Sequence, residues 1–100
     1  MIKYIEIKPA TQKGKKLQAI FYDSNKKKVE TIAFGAKGMS DFTKHKDPKR
    51  KERYLDRHRA REDWTKPNNA GSLSRWILWN KETLSDSISD FMKRFNLRKI

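Results

Sequence analysis

Four arginines in the middle of the chain have the spacing of one face of a helix. They are Arg50, Arg53, Arg57 and Arg61. Their intervals are three, four and four residues, and side chains at such intervals are neighbours on a helix surface. Guanidinium groups bind phosphate oxygens through paired hydrogen bonds, so this stripe predicts contact with a nucleic-acid backbone, duplex DNA above all. The alternative is a solvated helix whose arginines pair with nearby carboxylates, namely Glu52, Asp56, Glu62 and Asp63.

Seven lysines extend the set of candidate phosphate contacts. Four lie before or at the start of the same predicted helix, and three form a run in a polar turn. They are Lys37, Lys44, Lys46 and Lys49 near the helix, and Lys26, Lys27 and Lys28 in the turn. Phosphate contacts carry little sequence information, so the predicted binding is weakly sequence-specific.

A short glycine-containing segment, Gly35-Ala36-Lys37-Gly38, has the GxxG pattern. In KH modules a GxxG loop joins two helices and clamps a nucleic-acid backbone, whereas this segment follows a predicted strand. It also lacks the Lys-Ser/Thr ending of a nucleotide-binding P-loop. Two interpretations remain. The loop is either a nest of backbone N–H groups that binds phosphate together with Lys37 or a plain turn that leaves the sheet.

Two histidines and two aspartates are the remaining candidates for chemistry. His45 and His58 lie thirteen residues apart in a chain without cysteine, which matches no common spacing of metal ligands. Asp41 and Asp47 flank His45, but these loop positions predict no settled two-metal geometry. We therefore expect no catalytic residue, no metal and no cofactor, with a metal-dependent nuclease using this trio as a less favoured alternative. His58, four residues after Tyr54, is expected to pack against that tyrosine.

The composition points to a polyanionic partner. The chain has 100 residues, a net charge of +13 and an isoelectric point of about 10.2. The excess is spread over the whole chain, with net +6 in residues 1–40, +4 in 41–66 and +3 in 67–100. A basic folded surface attracts polyanions over a distance. Duplex DNA is the first candidate partner, RNA and acidic proteins are the alternatives, and the oligomeric state stays open.

Several classes of protein do not fit this sequence. No stretch approaches the roughly 20 apolar residues of a membrane span, and the first residues lack the pattern of a secretory signal. We expect neither membrane association nor secretion. The absence of cysteine excludes disulfide bonds, thiolate zinc sites and cysteine nucleophiles. Eleven aromatic residues in 100 are more than a disordered basic tail carries, so the chain is expected to fold.

The first third of the sequence predicts three strands. Short apolar alternation marks Ile2–Lys8, Lys16–Tyr22 and Val29–Phe34. The loops between them are short, which favours an antiparallel β-meander over residues 1–34. Residues 35–46 are expected to form a Gly/Lys loop.

The remainder of the chain predicts helices. Asp47-Pro48 is a helix start for a basic helix over residues 47–63. Residues 72–97 predict an apolar helical hairpin, whose second helix is capped by Thr83 and carries an apolar stripe that includes Ile88. Trp64, Trp76 and Trp79 are expected to pack in the core rather than stack on bases. Strands followed by helices predict a single α+β domain, a three-stranded sheet packed against two or three helices.

Three runs of residues resemble a known family: FGAKGMSD (34–41), FTKHKDPKRKERYLDRHRAR (42–61) and PNNAGSLSRWILW (67–79). The family consists of short basic proteins of uncharacterised function from nucleocytoplasmic large DNA viruses, with relatives in some algal viruses and protists. The resemblance covers roughly residues 33–97. The positions that match its pattern are Gly35, Lys37, Gly38, Ser40, Asp41, His45, Lys46, Asp47, Arg53, Tyr54, Arg57, His58, Trp64, Ser74, Arg75 and Trp79. Met39 departs from it, since other members usually have an aromatic residue there.

The resemblance implies a viral setting but no activity. In that setting an abundant cationic protein would compact or escort the genome, in the virion or at the replication site within the host cell. Together with the charge pattern, this predicts a non-enzymatic protein that binds duplex DNA through phosphates. The alternative function is an adaptor that docks on acidic host or viral proteins.

Overall fold

Alternating apolar residues form three antiparallel strands in the computed structural model, which describes residues 1–100. In the first pair of strands Ile5 lies opposite Phe21, and in the second pair Leu17 lies opposite Phe34. These side chains point to one face of the sheet, because successive residues of a strand alternate between faces. The strands are β1 (Tyr4–Pro9), β2 (Lys15–Tyr22) and β3 (Lys28–Ala36).

A fourth strand at the chain's end was not predicted. Strand β4 (Arg98–Lys99) pairs with β1 in parallel, so the order in the sheet is β3-β2-β1-β4. The Arg98 N–H donates to the Lys3 carbonyl over 3.0 Å, and the buried Leu97 joins the core just before the strand. Two charged residues give no alternation pattern, which is why the sequence does not reveal β4.

Four helices follow the meander, and each begins at a side-chain cap. The caps are Asp41, Asp47, Asn69 and Thr83. The predictions of Asp47 with Pro48 and of Thr83 as helix starts are confirmed. The helices are α1 (Phe42–His45), α2 (Pro48–His58), α3 (Ala70–Leu73, continued by a π-helical turn over Ser74–Leu78) and α4 (Leu84–Arg94). No helix has the length and apolarity needed to cross a membrane.

The basic helix is shorter than predicted. The sequence predicts a helix to residue 63, but α2 ends at His58 and Arg61 lies in the following turn. The Glu62 carboxylate lies 2.8 Å from His58 Nδ1 and accepts a hydrogen bond from Trp64 Nε1 over 2.9 Å. These contacts hold the chain in a turn after α2. Glu62, which the sequence predicts inside the helix, therefore contacts the last residue of α2 from the following turn.

Two other bounds differ from the prediction. The segment expected to be a loop, residues 35–46, contains the end of β3 and the one-turn helix α1. The helix expected from Ser72 begins at Ala70 and changes to π-helical geometry at Ser74, where the Trp79 N–H donates to the Ser74 carbonyl over 3.0 Å. Periodicity alone does not show such a change of pitch.

The helices cover one face of the sheet, and the α+β prediction is confirmed. The core between the two layers joins sheet residues such as Phe21 and Phe34 to helix residues such as Leu73, Ile77 and Phe91, all at 0% exposure. Burying each such side chain contributes roughly 1.5–3 kcal/mol. Trp79, which packs against this core, also contacts Tyr54 of α2.

Candidate nucleic-acid interface

Helix α2 is fixed to the fold by a column of stacked aromatic rings. The Tyr54 ring lies 4.2 Å from the Trp79 ring at an interplanar angle of 4°, and 4.1 Å from the His58 ring on its other side. The expected contact between His58 and Tyr54 is therefore confirmed. Lys51 adds a second anchor, since its Nζ donates to the Asn80 carbonyl over 2.7 Å. The side of α2 that faces the fold is therefore occupied by structural contacts.

Three arginines of the predicted stripe lie along one outer side of α2. Arg50, Arg53 and Arg57 are exposed, and none of them forms an ion pair. Of the four nearby carboxylates, Asp63 accepts from the Thr65 N–H, and Glu52 is exposed on α2 without an ion-pair partner. Asp56 lies 3.7 Å from Arg59 and Glu62 is beside His58. The alternative of a helix neutralised by its own acids is therefore not what the structure contains.

Arg61 does not continue the stripe on the helix. It lies three residues beyond the end of α2, where its N–H donates to the His58 carbonyl over 3.1 Å. Its side chain is exposed, but the helical spacing that placed it in line with Arg57 does not apply to a turn. The geometric stripe consists of three guanidiniums rather than four.

A cleft of about 350 Å³ opens beside Arg57, between α2, the end of β3 and α3. Lys15 and Arg57 bring cations to it, and Ser40 and Ser74 bring hydroxyl groups. Trp79, which supports Tyr54, forms part of its wall. Asp41 and Glu62 also line the cleft, but their carboxylates are engaged with Lys16 and His58. Lys15 and Arg57 are therefore the unpaired charges that could receive a phosphate there.

A second cleft of about 420 Å³ lies at the same end of the sheet and shares Lys15 with the first. Lys37 and Lys44 from the predicted set line it. Between the two clefts the Lys16 ammonium is bonded to the Asp41 carboxylate over 2.7 Å, so Lys16 is not available to a ligand. Lys15 is the binding candidate that sequence reasoning missed. The signal was the run Lys13-Gly14-Lys15-Lys16 at the start of β2.

The two other lysines near α2 differ in whether their side chains form hydrogen bonds within the protein. Lys49 is exposed in the first turn of the helix. Lys46 is exposed as well, but its Nζ donates to the Thr43 carbonyl over 2.9 Å and its backbone has a positive φ of 54° at the end of α1. Lys46 therefore caps α1, and binding a phosphate would cost it that contact.

The glycine segment forms a turn and not a nest. The Lys37 N–H donates to the Gly14 carbonyl over 2.9 Å, and the Met39 N–H donates to the Ala36 carbonyl over 3.2 Å. These N–H groups are used within the protein, so the phosphate-nest interpretation is not supported. Gly35 is needed for packing, because its φ is 79° and a Cβ there would lie 2.8 Å from Leu78 Cδ1.

The lysine turn lies far from α2. Lys26, Lys27 and Lys28 are exposed at the β2–β3 turn, whereas α2 lines a cleft together with the other end of β3. A nine-residue strand spans about 26 Å between its ends. The structure therefore does not bring the two predicted contact sets together, because a sequence does not show at which end of a hairpin the next helix packs.

The trio considered for a nuclease is occupied by structural contacts. The Asp41 side chain, 1% exposed, bonds Lys16 and also accepts from the amide and hydroxyl of Thr43. Asp47 caps α2, and its N–H donates to His45 Nδ1 over 3.0 Å. No group of three His, Asp or Glu side chains has an arrangement able to hold a metal ion.

Two of these groups have shifted pKa values. Burial by itself would raise the pKa of Asp41, but the Lys16 ammonium and the Thr43 hydroxyl outweigh it and hold the pKa below its ordinary range. Burial, with the nearby Arg50 guanidinium, lowers the pKa of His45 below its ordinary value. Asp41 is therefore ionised and His45 neutral at pH 7.

Two of the three tryptophans pack against the core, as predicted, whereas Trp64 lies outside it. Trp76 and Trp79 pack against the core. The Arg75 and Arg94 guanidinium carbons lie 4.0 and 3.7 Å from the centre of the Trp76 ring, cation–π contacts that leave it no free face for a base. Trp64 is held by its bond to Glu62.

Comparison with known proteins adds one finding. Residues 5–58 match the model of DUF5754, a family of unknown function. The chain belongs to this family. No curated protein and no solved structure matches the chain.

The DUF5754 match contains the basic site. It covers β1 from Ile5 onward, β2, β3, α1 and all of α2, so Lys15 and the three arginines all lie in the matched part. It begins well before residue 33, where the resemblance noted from sequence began, and it stops before α3 and α4. The first two strands, which lie outside the runs that carry the resemblance, are thus part of the DUF5754 match.

Proposed function

We propose that this protein binds nucleic acid, duplex DNA in the first place, through phosphate contacts made by the exposed side of α2 and the adjoining clefts. The observation that carries the proposal is the row of Arg50, Arg53 and Arg57, exposed and without a carboxylate partner. Keeping like charges in a row costs stability in the free protein. A polyanion removes that cost when it binds.

The dimensions of the row suit a duplex. From Arg50 to Arg57 an α-helix rises about 10 Å, which is the length of about three base-pair steps. Lys15, Lys37 and Lys44 continue the positive surface along the two clefts. Contacts of this kind bind backbone rather than base edges, so the proposal includes weak sequence specificity.

The role we propose is architectural and not enzymatic, in a large DNA virus. The resemblance to proteins of such viruses supports the viral setting, with the virion or the replication site as the place of action. The engagement of Asp41, His45 and Asp47 in structural contacts supports the absence of a nuclease reaction. We expect no nicking of supercoiled plasmid DNA with Mg²⁺ or Mn²⁺, and nicking that vanishes in Asp47→Ala would overturn this part.

A titration followed by fluorescence anisotropy tests the binding proposal. The probes are labelled duplex DNA, RNA of the same length and polyglutamate, with wild type and the Arg50→Gln/Arg53→Gln/Arg57→Gln variant. We expect duplex DNA to bind most tightly and the variant to bind it at least tenfold more weakly. Tighter binding of polyglutamate than of either nucleic acid would favour the adaptor function and overturn the proposal.

A further inference from the structure

The face of the sheet that the helices leave uncovered carries a row of aromatic and basic residues. Residues directly opposite one another in neighbouring strands share a face. Tyr4 lies opposite Tyr22, and Arg98 lies opposite Tyr4 on the outer strand β4. On β3 the register shifts between Phe21 and Tyr22, and beyond this irregularity Lys28 is the residue opposite Tyr22. One line across four strands therefore reads Arg98, Tyr4, Tyr22 and Lys28.

This row points away from the core. Its neighbours Ile5 and Phe21, next along β1 and β2, are 2% and 0% exposed under the helices, and alternation turns the tyrosines to the opposite face. Both tyrosines are partly exposed, and Arg98 and Lys28 are fully on the surface. The row thus combines two aromatic rings with a cation at each end.

The contacts around the row keep the rings in place. The Tyr22 hydroxyl donates to Glu6 Oε1 over 3.1 Å, which restrains the position of its ring. Lys26 Nζ lies 5.4 Å from the centre of the Tyr4 ring. Lys26 is exposed, so its long side chain can leave the ring for a phosphate and free that ring face for a base.

We propose that this face binds single-stranded nucleic acid, with one base on Tyr4 and one on Tyr22. Aromatic side chains on an open sheet stack unpaired bases, and strands about 4.8 Å apart place neighbouring rings within reach of successive bases. Arg98, Lys28 and Lys26 then contact phosphates on either side. A duplex cannot use the rings, because its bases are stacked inside the helix.

Charge complementarity supports this occupant over an acidic protein surface. Glu6 is the acidic residue in β1 and points to this face, and its carboxylate is engaged by Tyr22. Asp23 in the adjoining turn accepts from the backbone N–H groups of Asn25 and Lys27. An acidic protein surface would contact only the cations of the row. Planar bases would also stack on the two neighbouring tyrosine rings, so they account for the whole row. The proposal also gives a role to Lys26 to Lys28, which lie at the end of the sheet away from α2.

The test compares a labelled oligodeoxythymidylate with an abasic oligomer of the same length, which keeps the phosphates and lacks the bases. We expect wild type to bind the thymidylate at least tenfold more tightly. Tyr4→Leu and Tyr22→Leu should each lose about tenfold toward the thymidylate and change little toward the abasic oligomer. Tyr22→Phe, which keeps the ring and loses only the hydroxyl bond to Glu6, is the matched control and should keep the preference for the thymidylate.

Several results would overturn the proposal. Equal affinity of wild type for the two oligomers would do so, as would folded tyrosine variants that keep the preference. If the leucine variants do not fold, Lys28→Gln/Arg98→Gln replaces them, since both residues are exposed. We expect it to bind the thymidylate several-fold more weakly and duplex DNA as before, and unchanged binding of the thymidylate contradicts the proposal.

The same variants separate this proposal from the one on α2. Loss of thymidylate binding in the triple-glutamine variant of α2, together with unaltered binding in the tyrosine variants, would place single strands on α2 and overturn the sheet proposal. If the triple-glutamine variant of α2 binds every probe as tightly as wild type does, the proposed duplex interface on α2 is overturned and the sheet proposal is not.

Discussion

At the scale of single residues, the groups that looked reactive in sequence turn out to be structural. Asp41, His45 and Asp47 have the residue types of a metal site, but each is used to cap a helix or to hold a neighbour. The sequence could not show this, because the partner of Asp41 is Lys16, twenty-five positions away in β2. The caps at Asp47 and Thr83 were predictable, since a cap depends on its nearest neighbours.

Replacing Asp41 tests its structural role. Asp41→Ala leaves the Lys16 ammonium without its counter-charge and removes the cap of α1. We expect it to lower the free energy of unfolding by about 3 kcal/mol, measured by urea denaturation. Thr43→Ala removes one hydrogen-bond donor to the same carboxylate and should cost only about 1 kcal/mol. Equal, small losses in both variants would contradict a buried ion pair.

His45 should make the fold sensitive to mild acid. Its pKa in the folded protein is below the ordinary value because of burial and the nearby Arg50, so the unfolded chain binds the proton more readily. The stabilising contribution is therefore complete above the ordinary histidine pKa of about 6.5 and is lost as the pH falls below it.

The expected result is a melting temperature that falls between pH 7 and pH 5 by less in His45→Asn than in wild type. Asparagine keeps an acceptor for the Asp47 N–H and does not titrate. A fall of the same size in both proteins would show that His45 does not contribute to the acid sensitivity.

At the scale of the element, α2 has one side that packs against the fold and one side that faces solvent. Tyr54 and His58 stack toward Trp79 and fix the helix, while Arg50, Arg53 and Arg57 face solvent. Spacing predicted both sides, because a side of a helix is a property of its own sequence. The end of the helix was not predictable, since it depends on the contacts of Glu62 with His58 and Trp64.

This division predicts that binding and stability can be separated. Arg53→Ala/Arg57→Ala should weaken duplex binding about tenfold or more, through the loss of two charge-assisted contacts. Its melting temperature should hardly change, because neither arginine has a partner and alanine favours helix. An early melt of this variant would show that the arginines stabilise the fold.

The matched control lies on α4. Ile88 is partly buried against the core, and Ile88→Ala should lower the free energy of unfolding by about 2 kcal/mol. While the variant stays folded, its affinity for duplex DNA should equal that of wild type.

At the scale of the whole molecule, positive charge is placed at two ends of one sheet. Lys15, Lys37 and Lys44 adjoin α2 at one end, and Lys26 to Lys28 lie at the other. Strands followed by helices predicted the α+β class, because that order is written in the chain. Two features were not predictable: Lys15 and Arg57 line the same cleft, and β4 pairs with β1. Both depend on contacts between residues that are far apart in the sequence.

The salt dependence of duplex binding tests the central role of α2 most directly. Each neutralised phosphate contributes about 0.9 to the slope of log K against log salt. If about six phosphates are contacted, wild type has a slope near −5. Arg50→Gln/Arg53→Gln/Arg57→Gln should be shallower by about 2 to 3, whereas Lys66→Gln/Lys81→Gln/Lys93→Gln, with the same change in net charge, should keep the wild-type slope. A wild-type slope shallower than about −2, or the same slope in the arginine variant as in wild type, would contradict a phosphate interface on α2.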